Sequence, residues 1–510
     1  MTNSSIIGGE RQLVTQLGGD TIAVERLARL QRSGFFLNST QTILLSFLLG
    51  VGILLLSVTV SVELFNTQFI FITLTGMGLW LCHRTLIDLG DPKLNILITF
   101  WLLKVIITLF LLYVGWIPQL DPSTADWGYD PQRYYVDAWN LIENGWNPLA
   151  GSSNYQGIVF YYGAIFYLFG HNPVIPALIN AFVTLSGCLF LIRCVYSFVP
   201  DRTAKDWTIA GLLLVPEMLW YDVMTSRETL MAVLIIITIL SVGRYLFGVK
   251  NISLANTMLL SGVALIGILA VRTSMVFPVI GSIGVMLMLL RSKRKMGSLG
   301  KALIFVLAIA GMSAGPFIQN LAGGGNVDYL SELDNLQAVD TTFADEQPWS
   351  DNSIGLLLKP NNIWQSLLFI PPRMVLYLAA PLPNVAVPVT ELIDGSWSAW
   401  QSLMTIPTSA MMLLVLPYAL AGTAQAWRLR RNQPAPLVLH ITFWTTFMAV
   451  AGGNIIIHER YRVMFTLLLF ASVWFGYTRC SLREVKRWAL RWFSLLAVGA
   501  VFYMGYKLIL

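Results

Sequence analysis

The sequence predicts an all-α polytopic membrane protein, with about 13 transmembrane helices and with interfacial helices in two large extracytoplasmic loops. Three observations lead there. Of 510 residues, 56% are hydrophobic and only 12% are charged, where a soluble chain carries about a quarter charged. Apolar runs near or beyond the roughly 18 residues that span a bilayer recur along the chain. Lysines and arginines gather in the short connectors between those runs, and counting the runs as spans puts every strongly basic connector on one side. The net charge of +6 is thereby explained by membrane topology, and nucleic-acid binding is excluded. Residues 1–40 form a cytoplasmic N-terminal arm and 41–510 a single transmembrane domain, with outer loops at 117–173 and 320–396.

The first 38 residues contain no apolar core of a cleavable leader. Arg26, Arg29 and Arg32 precede the first span and place the N-terminus in the cytoplasm. Spans one and two are expected over 41–62 and 67–84, followed by a basic connector with His83, Arg84 and Lys93. Span three, 96–116, carries Lys104 near its middle, where a charge must face a partner, water or the bundle interior. The aromatic run 158–169 is too short to cross and reads as an interfacial or re-entrant helix. Spans four to nine follow over 174–198, 207–222, 229–247, 254–271, 274–290 and 301–319, with Glu217 and Asp222 in the fifth and the basic run RSKRK after the eighth. The apolar part of 355–396 is broken by prolines and suits a pair of interfacial or re-entrant pieces better than a straight span. Spans ten to thirteen are expected over 397–421, 436–457, 463–478 and 489–508. The four cysteines, Cys82, Cys188, Cys194 and Cys480, form no CxxC pair and read as packing residues.

The segment 117–170 organises the chain. It holds four aspartates, Asp121, Asp126, Asp130 and Asp137, in a sequence otherwise poor in charge. The unusual ionisable residues elsewhere fall at the same predicted side: Arg133, Arg227, Glu228, Arg272, Arg373, His458, Glu459, Arg460 and Arg462. Topology predicts few arginines there. Guanidinium groups grip phosphate oxygens bidentately, so the set suits a lipid-linked phosphate. Pairing with nearby carboxylates or headgroups is the plainer alternative for any one of them. A carboxylate beside such a site would take the proton from an attacking hydroxyl, and partial burial raises its pKa and its strength as a base. Asp130, or failing that Asp126, is the candidate. Asp126 also reads as a turn residue and Asp130 as the N-cap of an amphipathic helix beginning at Pro131. Asp137 and Glu143 read as solvated faces of that helix.

Several stretches resemble the GT-C fold glycosyltransferases, multispanning enzymes that use polyprenyl- or dolichyl-phosphate-linked sugars. The pattern Asp130-x-x-x-Tyr134-Tyr135-x-x-Ala138, then NGWNPL, then YYGAIFYLFG ending at Gly170 before NP, is similar to that family's first outer loop. MTSRETLMAVL, carrying Glu228, resembles its short outer turn; HERYRVMFTLLLFASVWFGY resembles its late arginine-tyrosine-arginine segment, and MVLYLAAPLPN also matches its look. The resemblance touches 100–250 and 360–480. It implies Asp130 as catalytic base, with Asp126 as fallback.

The expectation is therefore an inverting glycosyltransferase in a bacterial inner membrane, working at the extracytoplasmic face. It would move a sugar from a polyprenyl-phosphate-linked donor to a glycan or lipid-linked acceptor. Arg227, Arg272, Arg460 and Arg462 are the phosphate candidates, and Tyr134 and Tyr135 would line the sugar. The variant is an O-antigen-type polymerase or ligase that uses polyprenyl-diphosphate glycans without a catalytic carboxylate; a lipid-glycan transporter is a third reading. No ligand spacing demands a metal, although Asp126, Asp130 and Glu228 are the acids that a divalent ion would use.

Overall fold

The computed structural model describes residues 62–120, 130–146, 156–198, 206–246, 253–272, 275–289, 363–379, 397–453 and 459–509. The N-terminal arm, the first and ninth spans, RSKRK, Asp126, His458 and most of 320–396 lie outside them. Two compact units divide the chain, Met1–Gly76 and Met77–Leu510. Of the first, the described part is the start of helix α1 (Val62–Leu89), where Phe65 and Phe69 stack one turn apart with centroids 6.3 Å apart.

The described residues are helical throughout, with no strand. After α1 come α2 (Ile96–Leu111), α3 (Asp130–Glu143), α4 (Gln156–Phe169), α5 (Val174–Phe198), α6 (Pro216–Val223), α7 (Glu228–Leu246), α8 (Leu254–Val271) and α9 (Val276–Leu289). Then follow α10 (Ile363–Ala379), α11 (Trp397–Leu429), α12 (Ala435–Gly453), α13 (Val463–Arg479) and α14 (Leu482–Ile509). Among the described residues, six stretches are long and apolar enough to cross a membrane: Leu64–Leu89, Pro92–Leu120, Val174–Ser197, Glu228–Leu246, Leu254–Val271 and Ala399–Leu429. They point to a lipid bilayer as the surroundings.

Local chemistry sets the helix ends. Ser253 accepts the Asn256 N–H at 3.1 Å and starts α8. Ser481 and Glu484 form a reciprocal capping box at the start of α14. Gly170, at φ +97°, lets the chain turn sharply out of α4.

The core lies around α5 and α7, which are buried over 72% of their apolar stretches against 33% for α8. Apolar packing alone gives helices little reason to associate in lipid, so close approach at small residues matters more. Gly422 of α11 and Gly476 of α13 sit at such a crossing. A Cβ on Gly476 would lie 1.9 Å from the Tyr418 carbonyl oxygen.

One expectation fails locally. Residues 207–222 do not form one straight span: a 3-10 helix over Asp206–Leu214 is followed by extended Val215 and then by α6. Pro216 is the cause, because it excludes the helical conformation at the residue before it and suits the first turn of the helix after it. In the proline-broken stretch, α10 continues through Pro371 and Pro372 as one 17-residue helix; the rest of the pair expected over 355–396 lies outside the described residues.

Candidate functional site

The site is assembled where α3, α7 and α13 begin and α8 stops. Asp130 opens α3, and Gln132 ties that helix to the end of the preceding segment by donating to the Gln119 carbonyl at 2.7 Å. One turn along, Tyr134 is buried, with the Arg227 guanidinium 6.0 Å from its ring centroid. Tyr135 points elsewhere, as successive helical residues must. Its ring packs 5.1 Å from Phe166 and 4.7 Å from His171, which stacks on Trp139 at 4.2 Å. The two tyrosines expected to act together are therefore separated. Asp137, expected on a solvated face, is buried, while Glu143 is exposed. The inward face of α3 is simply wider than its apolar stripe suggests.

Arg227 is held by a turn fastened at three points. Thr225 donates its hydroxyl to the Pro131 carbonyl. Asn180 of α5 donates to the Met224 carbonyl at 2.8 Å, and Tyr162 of α4 to the Ser226 carbonyl at 2.7 Å. Asn180 also donates to the Tyr162 hydroxyl at 3.1 Å, joining two of these fasteners. Glu228 follows at the first turn of α7, where a helix favours negative charge. It accepts the Arg227 backbone N–H at 3.1 Å, and its carboxylate lies 3.6 Å from the Arg227 Nε.

Arg460 arrives on a 3-10 turn, Glu459–Arg462. It donates to Asp130 at 2.6 Å and to the Tyr461 hydroxyl at 2.9 Å. The guanidinium groups of Arg460 and of Arg272, which caps α8, each lie 4.8 Å from the Tyr461 ring centroid. Arg373 of α10 is buried and acts electrostatically on Tyr377 together with Arg272 and Arg460. Arg133, exposed on α3, acts on Asp130.

These charges shift one another. Burial alone raises the Asp130 carboxyl, but Arg460, Arg227 and Arg133 together hold it below the usual aspartate value. The raised value expected of a base in waiting is not what this setting produces. Tyr461, pushed up by burial, is brought below the ordinary phenol value by Arg460, Arg272 and Arg227. Five arginines (Arg133, Arg227, Arg272, Arg373, Arg460) therefore gather in the neighbourhood of Asp130 and Glu228.

Arg462 lies outside that cluster. Its Nε donates to both Glu217 oxygens at 2.8 and 3.1 Å, and its terminal nitrogens donate to the Ser409 hydroxyl at 2.6 Å and the Thr405 carbonyl at 3.1 Å. Lys104 has found its partner in Asp222, which also accepts the Thr184 hydroxyl. All four of these charged side chains are fully buried.

Sequence reasoning overlooked Tyr461, Tyr377, Tyr162 and Asn180. Tyr461 had a visible signal, its place between two arginines already singled out. The others had none, because they act through contacts 18 to 64 residues apart or more. Among the described residues no three His, Cys, Asp or Glu side chains converge as a metal site would require. Comparison of the chain with family models, with curated proteins and with solved structures gives no match.

Proposed function

We propose that this chain is a membrane glycosyltransferase, and that its arginine cluster holds the phosphate of a polyprenyl-phosphate-linked sugar donor. The observation that carries the reading is the gathering of guanidinium groups from five separate segments, three of them (Arg227, Arg272, Arg460) at the ends of apolar helices. A headgroup phosphate lies at that depth, and arginine forms the strong, directed bonds that a phosphate takes. In this reading the same end of the bundle faces the extracytoplasmic side of a bacterial inner membrane, with about 13 spans in all, and the distribution of basic connectors supports it.

In the reaction, an acceptor hydroxyl of a glycan or lipid-linked glycan gives its proton to Asp130. Its oxygen bonds to the anomeric carbon from the face opposite the phosphate, and the carbon–oxygen bond to the phosphate breaks. The departing electron pair stays on the phosphate oxygen, where the arginines stabilise it. The product is inverted.

One observation favours the polymerase or ligase reading beside it. Asp130 is ion-paired and acid-shifted, hence a weak base, and that variant needs no carboxylate. Transport is less favoured. Lys104 and Glu217, the deep charges that a transporter would present to its cargo, are each closed in a buried ion pair.

The test is sugar transfer by the purified protein in nanodiscs containing a polyprenyl-phosphate sugar. Asp130→Asn should lower the rate about a hundredfold or more, and Arg460→Ala should abolish it. Loss in Arg460→Ala with Asp130→Asn active selects the polymerase or ligase reading. Activity in both variants rejects the cluster as the site.

A further inference from the structure

The Asp130–Arg460 pair stands at the open side of the cluster. Their side chains are 23% and 25% exposed, whereas Arg227 and Arg373 behind them are 1% and 0% exposed. Of the ion pairs in the cluster this one is within reach of an anion from solvent or headgroups, beside the exposed Arg133. The pair is also held by one contact, Arg460 Nη1 to Asp130 Oδ2 at 2.6 Å. The other guanidinium terminus is turned to Tyr461.

We propose that Asp130 is the resident counter-ion of the arginine cluster, and that an incoming phosphate group enters by taking Arg460 from it. This rests on the reading that the cluster binds a phosphate. Exchange is inexpensive at this position, since a partly exposed ion pair favours association by only about fivefold at most. A phosphate offers Arg460 more than one acceptor oxygen and offers the deeper arginines a counter-charge as well. The carboxylate thereby neutralises Arg460 until a phosphate displaces it, and excludes weaker anions.

The exchange also links binding to chemistry. While Arg460 holds it, the Asp130 carboxylate is acid-shifted and already bonded. Once Arg460 turns to the phosphate, that stabilisation is lost, the carboxylate becomes more basic, and it is free to accept the acceptor's proton. A base activated only when donor is present would explain how a carboxylate poorly suited to the role in the resting protein performs it during turnover.

The experiment measures equilibrium binding of a polyprenyl monophosphate in nanodiscs, with inorganic phosphate as a soluble arm. It compares the wild type with Asp130→Asn, Asp130→Glu, Arg460→Gln and the Asp130→Asn/Arg460→Gln double variant. Removing the counter-ion should tighten binding by about threefold to fivefold, while Asp130→Glu stays near wild type. In the Arg460→Gln background Asp130→Asn should change affinity less than twofold, by about the residual field effect. Tightening in both arms assigns the phosphate group itself as the competitor, and tightening in the lipid arm alone assigns a lipid-linked phosphate. Weaker or unchanged binding by Asp130→Asn overturns the proposal, as does equal tightening with and without Arg460, which is plain charge repulsion. If Arg460→Gln weakens binding and Asp130→Asn does not tighten it, the exchange fails and the phosphate site survives. If neither the wild type nor any variant binds either probe, both fail.

Discussion

Two sets of ion pairs among the described residues contrast, and the contrast separates what fastens the bundle from what the cluster offers a ligand. Glu217–Arg462 and Asp222–Lys104 are fully buried, matched one carboxylate to one cation, and further hydrogen-bonded to Ser409, Thr405 and Thr184. Both carboxylates belong to α6, the short helix that follows the break at Val215. Asp130–Arg460 is partly exposed, joined by a single contact, and lies within the electrostatic reach of Arg227 and Arg133. The buried pairs anchor α6 from two sides, toward α2 and toward α13. The chain leaving α6 becomes the turn that presents Arg227, and the residue two before Arg462 is Arg460. The inner pairs thus position the outer ones, although none of their atoms belongs to the cluster.

The strongest way to break this contrast is to remove one half of an inner pair. Arg462→Met leaves Glu217 charged in a dry interior, and Lys104→Met does the same to Asp222; each should destabilise the protein by about 3–5 kcal/mol. Thermal unfolding in detergent would read this as a large fall in Tm. Glu217→Leu/Arg462→Met should recover most of the loss, because two apolar residues leave nothing uncompensated. A single substitution as mild as a surface change would mean that water reaches these groups.

Packing comes next in size. Gly476→Val places carbon atoms where the Tyr418 carbonyl oxygen now lies, and should cost about 1–3 kcal/mol by forcing α11 and α13 apart. The same assay measures it. Gly499→Val is the control, since nothing lies within 4 Å of its added Cβ; equal effects at the two positions would remove the crossing from the account.

How much of this the sequence disclosed depends on the range of the forces involved. Hydropathy and charge bias act on average over many residues, so the helical membrane class and the apolar stretches were readable. That Asp130, Arg227, Arg272, Arg373 and Arg460 share one neighbourhood was also approachable, because the sequence reading put all of them on the same outer side. The division between Arg460 and Arg462 was not. Two residues on a single 3-10 turn face different ways, and only the location of Glu217, 245 residues earlier, decides which one is drawn inward. The same holds for Tyr134 against Tyr135, sorted by the positions of Arg227 and His171. The break at Val215 was legible in principle from Pro216, but a continuous apolar run masked it.

Arg460→Ala sharpens the contrast from the other side. With a quarter of its side chain exposed, its pair with Asp130 should contribute at most about 1 kcal/mol to stability, even though the proposed reaction depends on it. Near-native Tm together with lost phosphate binding would mark it as a ligand residue. A fall in Tm as large as that of Arg462→Met would make it another fastener.

The smallest expected effect is the acid dependence of the same pair. Asp130 has a folded pKa depressed by Arg460, Arg227 and Arg133 against its burial. Its contribution to stability is complete above the unfolded value of about 3.9 and disappears as pH falls through the lower folded value. The wild type should therefore exceed Asp130→Asn in Tm at neutral pH, and the difference should shrink once the pH drops below about 4. The buried pairs supply the comparison: replacing Asn for Asp at position 222 should lower Tm at neutral pH far more, because Lys104 then stays charged without its partner. A Tm difference for Asp130→Asn that persists unchanged through the acid range would mean that its carboxylate is not acid-shifted, and would leave Arg460 available to a ligand without any exchange.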